Sequence, residues 1–204
     1  MFSRMKKLVV CCGAIGVLLV AGSAWACTTT MVGKKASVDG SAMVSHTVDG
    51  WYDHRIRIVP GGKHKKGEMV PIEKNICYQT MPTKPLIKMG EIPQAEVTYT
   101  YFHVGYPFMN EHQLMIGEST WGGRDETFCD AGWMVIEQLQ VLALQRTKTA
   151  REAIKLMGEL AEKYGYADGG EALTVGDKDE IWLFEITGPG PLWTPESGKP
   201  GAVW

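Results

Sequence analysis

Cys27 stands directly after Ala24-Trp25-Ala26, a placement that gives one residue two chemical parts. Residues 1–26 have the layout of a secretory signal peptide: Arg4, Lys6 and Lys7, then an apolar run from Leu8 to Ala21, then an A-x-A cleavage site. A cut after Ala26 by signal peptidase would leave Cys27 first in an exported mature chain, periplasmic or extracellular. There it carries a thiol nucleophile and a free α-amine that can serve as its base. With an amine pKa of about 7.7–8.0 and a thiol pKa of about 8.5, part of the amine is neutral at working pH. It can take the thiol proton, and the thiolate can attack a carbonyl carbon, form a thioester and be freed by water. A lipoprotein signal also places Cys after the cut. In that alternative Cys27 would be acylated and would anchor the chain. The apolar run of 14 residues is short of the roughly 20 that span a bilayer, so no stable span is expected in the mature form.

Composition narrows the partners. The three basic residues of the leader leave 18 basic against 23 acidic residues in 27–204, a net charge of −5. Nucleic acid and anionic membrane surfaces reward clustered Lys and Arg, so neither is expected as the main partner. The one basic cluster, Lys63-His64-Lys65-Lys66, lies among Gly61, Gly62 and Gly67 and reads as a solvated turn. In an oxidising compartment Cys77 and Cys129 could pair, leaving Cys27 free, although their spacing alone does not bring them together. There is no C-x-x-C, and the histidines are scattered, so no metal site and no cofactor are expected.

Several elements must position Cys27. Thr28–Val32 reads as a strand, residues 33–40 as a turn, and Ser41–His46 as a returning strand. That hairpin would hold a terminus that otherwise frays. Further strands are expected at Arg55–Val59, Met69–Ile72, Glu96–Val104 and Gln113–Gly117, with the Pro-containing stretch Cys77–Glu96 as an irregular connection. Asp130 can cap a helix from Ala131 to Arg146. Thr149 and Glu152 form a capping box for a second helix that Gly165 can stop. Strands return at Ala172–Val175 and Ile181–Ile186. With no βαβ alternation, the pattern predicts an α+β fold with a mostly antiparallel sheet. Trp121 and Trp133 read as core residues. Gly201–Trp204 reads as the start of a strand with nothing after it to close it. The chain is therefore expected to be incomplete at its C-terminus, the alternative being an apolar tail docked on the body.

CTTTMVGKKASVDGSAMV, Cys27 to Val44, resembles the opening of the dipeptidases among the N-terminal-nucleophile hydrolases, relatives of choloylglycine hydrolases and penicillin V acylases. Asn110–Arg124 and Thr149–Ile154 are similar to that family too. With the signal peptide read at 1–26, the resemblance implies that 27–204 is the N-terminal part of a domain with an αββα four-layer sandwich. It implies cleavage of dipeptides or related small amides by Cys27. The related enzymes carry an Arg-x-x-Asp segment after the second strand. Its counterparts here are His46 and Asp49, so Asp49 keeps a carboxylate to orient the nucleophile, while His46 replaces a permanent cation. Asn110, Ser119, Thr120 and Arg124 lie where the family's pocket is expected. The family's oxyanion-hole Asn lies on a strand beyond the region that matches the end of this chain. Two other functions fit the same residues: an amidase of acylated amino acids or bile-salt-like amides, and an inactive binding domain.

Overall fold

The computed structural model describes residues 27–50, 52–76 and 85–204. Residues 1–26, where a signal peptide is expected, and Cys77 therefore lie outside the described residues. Twelve strands are present among them: β1 (Thr29–Val32), β2 (Met43–His46), β3 (Arg57–Val59), β4 (Gly62–Lys63), β5 (Met69–Lys74), β6 (Ile87–Pro93), β7 (Val97–Thr98), β8 (Tyr101–His103), β9 (Pro107–Asn110), β10 (Met115–Gly122), β11 (Gly170–Gly176) and β12 (Ile181–Ile186). Two helices, α1 (Ile136–Arg146) and α2 (Ala150–Tyr164), lie between β10 and β11. Every ladder between strands is antiparallel, as the absence of βαβ alternation predicts.

Six strands form the main sheet in the order β12-β11-β10-β9-β8-β3. Alternation sorts the two faces of its centre. Ile116 of β10, Leu173 and Val175 of β11 and Phe184 and Ile186 of β12 are buried in one core with Leu139, Leu142, Ala153 and Met157 of the helices. Gly117, Thr174 and Gly176 point the other way, toward the β1–β2 hairpin. There a Cβ on Gly117 would stand 3.1 Å from Val44 Cγ1 and 3.3 Å from the His46 Cβ. Glycine at 117 is what lets the hairpin settle on the sheet. The order of layers is therefore helix pair, six-stranded sheet, hairpin.

The second helix is built as its sequence predicts. Thr149 and Glu152 exchange both capping-box hydrogen bonds, and Gly165 (φ 79°) ends the helix. The Asp177 carboxylate, in the β11–β12 turn, accepts N–H bonds from Ala150 (2.8 Å), Asp179 (2.8 Å) and Glu180 (3.0 Å), which ties that turn to the start of α2.

Four expectations need correction. The first helix begins at Ile136, and Asp130 does not cap it. Residues 133–134 are instead tied to the end of α2, with Trp133 N–H and Met134 N–H donating to the carbonyls of Tyr164 and Gly165 and Met134 bridging Tyr166. Ile87–Pro93 is a seven-residue strand paired with β5, although Pro85 and Pro93 bracket it. Pro93 is tolerated because the two-stranded ribbon has a free outer edge. Glu96–Val104 divides into β7 and β8, which join different sheets. Finally, Trp121 is half-exposed, lying over Gly170 and Gly123, whereas Trp133 stacks on Tyr164. In the basic loop Lys63, Lys65 and Lys66 are exposed, and His64 is held by Glu68 and Thr98, both at 3.0 Å.

The tail docks. Thr187 and Val203 exchange backbone hydrogen bonds, and Trp204 lies against Gly158 with its indole N–H on Glu162 (2.9 Å). Among the described residues no helix is long and apolar enough to cross a membrane.

Candidate active site

Cys27 is half-buried at the mouth of the β1–β2 hairpin. Its backbone is fixed from two sides. Ser119 Oγ donates to the Cys27 carbonyl (2.9 Å), and the next residue, Thr28, donates its N–H to Thr47 Oγ1 (3.0 Å) and accepts from Thr47 N–H (2.9 Å). The Asp49 backbone N–H is directed at the Cys27 sulfur. Burial nevertheless pushes the thiol up, and the charges of Glu118, Asp49 and Glu171 push the same way against that single donor. The thiol's surroundings alone do not make a thiolate. A base or cation must be added to them.

His46 occupies a split in the sheet. β10 pairs with β9 only at Met115–Met109, so the outer edge of β10 beyond Gly117 is not covered by β9. The His46 ring fills this gap: its Nδ1 accepts the Glu118 N–H (3.3 Å), and Tyr106 meets the ring edge-on. An accepting Nδ1 puts the ring proton on Nε2 and makes the imidazole neutral. Burial pushes its pKa below the ordinary histidine value, outweighing the pull of the Glu118 charge. His46 therefore braces β10 and supplies no fixed positive charge beside Cys27.

Behind Cys27 the sheet carries a carboxyl pair that sequence reasoning missed. Glu118 is fully buried and Glu171 is 5% exposed; both project to the helix side of the sheet. Thr120 Oγ1 lies 3.2 Å from Glu118 Oε1 and 3.0 Å from Glu171 Oε1. One hydroxyl proton cannot serve two carboxylate oxygens, and the Oε2 atoms of both acids have no donor among the described residues. The pair must therefore hold a proton of its own. Burial and the adjoining Glu118 carboxyl push Glu171 up to about 9. The buried Tyr166 hydroxyl, unpartnered among the described residues, is raised by burial and then by Glu171. The signal was legible in principle, since Glu118 falls in the apolar phase of β10 with Leu114 and Ile116, and Glu171 in that of β11 with Leu173 and Val175.

Of the residues expected at the site, Cys27, His46, Asp49, Ser119 and Thr120 are brought into one neighbourhood. Asn110 is not. Its amide donates to the carbonyls of Leu144 and Thr147 (both 2.9 Å) and accepts from the N–H groups of His112 (3.0 Å) and Leu114 (3.2 Å), which spends its hydrogen-bonding capacity on the β9–β10 turn and the end of α1. Arg124 is exposed at the head of a short 3-10 turn. Cys129 is buried, and the suggested pairing with Cys77 lies outside the described residues.

Two cavities flank this neighbourhood. One, of about 460 Å³, is mostly apolar and borders His46 with Val44, Ile56, Phe108 and Met109. The other, of about 480 Å³, is polar and reaches Thr120 and Glu171. Among the described residues no three His, Cys, Asp or Glu side chains converge closely enough to hold a metal ion.

Residues 26–204 match the sequence profile of peptidase family C69. The chain is 30% identical over 174 residues to a protein of Latilactobacillus sakei named probable dipeptidase, a match covering 79% of this chain and 35% of that protein. It is 29% identical over 179 residues to dipeptidase A of Lactobacillus helveticus, covering 79% of this chain and 36% of the relative. A probable dipeptidase of Salmonella dublin is 26% identical over 193 residues, with 86% of this chain and 41% of that protein covered. The matched region thus spans little more than a third of these relatives.

Proposed function

The chain belongs to peptidase family C69, and from that premise we propose that it is an exported cysteine dipeptidase whose nucleophile is Cys27, freed as an N-terminal residue by cleavage after Ala26. The observation that carries this reading is the anchoring of Cys27. Its carbonyl is held by Ser119 and its sulfur faces the Asp49 N–H, at the start of a hairpin seated on the sheet.

The chemistry follows from what the site has and lacks. Burial, above all, and the acidic groups around Cys27 disfavour the thiolate, so the proton must be taken by a group at Cys27 itself. While Ala26 is attached, the Cys27 nitrogen is an amide and has no basicity. Once freed, it is an amine whose pKa is close to that of the thiol. In its neutral form it accepts the thiol proton, and sulfur attacks the carbonyl carbon of the dipeptide. As the C–N bond breaks, the ammonium returns the proton to the leaving amine, which departs and leaves a thioester. Water, deprotonated by the same amine, then releases the first amino acid and restores the thiol. In this scheme Asp49 supplies its N–H to the developing thiolate and its carboxylate to the ammonium.

The proposed architecture is the αββα sandwich of the N-terminal-nucleophile hydrolases. The order helix pair, main sheet, hairpin supports this reading. Ile58 and Phe102, paired across β3 and β8, are exposed on the main sheet and offer an apolar surface to a fuller second sheet. The apolar cavity beside His46 favours a second reading, an amidase of N-acylated amino acids, because an acyl chain would be buried there.

Cys27→Ser tests the nucleophile. Hydrolysis of a dipeptide panel should fall by about a thousandfold or more while export and folding, followed by circular dichroism, stay normal. Undiminished hydrolysis by that variant would overturn the assignment.

A further inference from the structure

A titratable ring stands where the main sheet is split. His46 pairs with Thr29 across the hairpin, and its ring fills the gap left where β9 parts from β10 beyond Met115. There Nδ1 takes the Glu118 N–H at 3.3 Å, in place of a carbonyl on a neighbouring strand. A backbone N–H can only donate, so Nδ1 is unprotonated for as long as this bond exists. Arginine and lysine have no acceptor to offer at this position. The next residue of β10 is Ser119, whose hydroxyl holds the Cys27 carbonyl at 2.9 Å. Three links thus join the ring to the nucleophile: Nδ1, the Glu118–Ser119 backbone and the Ser119 hydroxyl.

Packing prevents a silent change of protonation. The His46 Cβ sits over Gly117, where an added Cβ would stand 3.3 Å from it, and Tyr106 meets the ring edge-on. A proton on Nδ1 would set two N–H donors head to head. Either the ring must swing toward the cavity of about 460 Å³, whose wall there is Val44, Ile56, Phe108 and Met109, or β10 must move off the hairpin. Both movements leave the Glu118 N–H without its acceptor, and such a loss is costly in a partly buried strand. Few charges compensate an imidazolium here. Glu118 lies on the far face of β10 with Glu171 beyond it, Tyr106 comes from the β8–β9 turn, and His54 lines the same cavity. Cys27 and Asp49 flank the hairpin end. Burial outweighs the pull of the Glu118 charge on the ring.

We propose that His46 is a positioning residue that makes the site acid-sensitive: as neutral imidazole it locks β10 to the hairpin and holds Ser119 on Cys27, and as imidazolium it releases both. The inference rests on the dipeptidase reading for its kinetic consequence and adds to it a second proton that must be absent. The first is that of the Cys27 amine, which must be neutral to take the thiol proton. The second acts through position alone, because Nδ1 touches Glu118 and not the reacting atoms. Loss of the lock lets the Cys27 backbone move away from its anchored place, and small displacements of a nucleophile are expensive in rate. A ring depressed by burial stays neutral at and above its ordinary value, so the lock is complete near neutral pH and is lost only on the acid side.

Two substitutions separate the lock from the bulk of the ring. His46→Asn places an amide oxygen where Nδ1 sits and cannot be protonated, whereas His46→Leu has no acceptor. With L-alanyl-L-alanine at about pH 8, the Leu variant should lose at least about tenfold in kcat, with KM little changed, and the Asn variant should stay within about threefold of wild type. Toward acid pH, log kcat/KM of the wild type should steepen from about one to about two decades per pH unit, as the amine and then the ring take up protons. The Asn variant should keep the slope of about one. Nitrogen-15 NMR of the mature chain without substrate gives a readout independent of hydrolysis. Near neutral pH the His46 Nδ1 should resonate as an unprotonated nitrogen, and the Glu118 amide should shift with the midpoint of the ring; in the Asn variant that shift should vanish. Circular dichroism confirms that each variant is folded. A protonated Nδ1 at neutral pH, a Glu118 amide that titrates equally in the Asn variant, or equal acid slopes in wild type and Asn variant would overturn the inference. If the wild type hydrolyses no dipeptide, the dipeptidase reading fails, and the NMR titration alone decides whether His46 locks β10.

Discussion

Replacing Glu171 by Gln should remove a pH dependence from the stability of the fold. In the folded chain Thr120 offers one hydroxyl proton to two carboxyl oxygens, at 3.2 and 3.0 Å, and burial with the adjoining Glu118 raises Glu171 to about 9. An unfolded glutamate titrates near 4.3. Between these values the folded state binds about one more proton than the unfolded state, so stability falls as pH rises through that window. It is fully retained only below the unfolded value. One proton corresponds to about 1.4 kcal/mol per pH unit. From about pH 5.5 to about pH 7.5, the wild type should lose at most about 2.7 kcal/mol relative to Glu171→Gln, and about 1.5 kcal/mol if water relaxes half of the effect. The glutamine amide presents N–H donors to Glu118 at all pH values, so the variant lacks this slope. Urea unfolding of both proteins at the two pH values measures it, and taking the difference cancels every titration they share. A stability difference that stays the same within about 0.5 kcal/mol at both pH values would refute the shared proton.

Asn110→Ala should cost about 2–4 kcal/mol of stability in chemical denaturation, since four hydrogen bonds, three of them buried, lose their partner. With the folded fraction corrected for, KM should hold, and a large rise in KM would return Asn110 to the substrate site. Gly117→Val should displace the hairpin, because a Cβ already meets Thr174 Oγ1 at 2.7 Å and Val44 Cγ1 at 3.1 Å. Loss of dipeptide hydrolysis with the helical circular dichroism signal retained is the expected readout. Asp177→Ala should lower stability by about 1–2 kcal/mol through loss of three N–H bonds, one that joins the β11–β12 turn to Ala150 of α2 and two that close the turn itself. Burial alone would raise the Asp177 carboxyl, but those donors hold it below the usual carboxylate range. Its contribution is thus present above the unfolded value and lost as pH falls through about 4 and below, which melts at acid pH can follow.

Local chemistry made parts of this structure legible. The β1–β2 hairpin, the Thr149–Glu152 box and the Gly165 stop were read correctly because turn glycines and capping side chains act over a few residues. The start of α1 was not, because Asp130 is a good cap in isolation and tertiary hydrogen bonds from Trp133 and Met134 win over it. β6 was hidden by its flanking prolines, and its pairing with β5 is a long-range fact. At the site, Cys27 drew attention through the Ala24-Trp25-Ala26 pattern before it, and the structure sets Ser119, an expected pocket residue, against the Cys27 carbonyl. The Glu118–Glu171 pair depends on the β10–β11 register, which places Thr120 opposite Glu171 and Glu118 opposite Leu173. No spacing along the chain reveals that meeting. Asn110 shows the reverse case, a polar residue of the right type spent entirely on holding a turn.

In the proposed mechanism, freeing the Cys27 amine turns a suppressed thiol into a nucleophile. The most direct measurement is the iodoacetamide alkylation rate of Cys27 against pH, followed at its own peptide by mass spectrometry. It should be made on the chain beginning at Cys27 and on the same chain carrying one added Ala. The extended chain should titrate above an ordinary thiol, because burial and the acidic groups around Cys27 raise it. The mature chain should titrate at clearly lower pH, and its dipeptide hydrolysis should be lost in step with alkylation. Coincident profiles for the two chains, or hydrolysis that outlasts complete alkylation of Cys27, would contradict it.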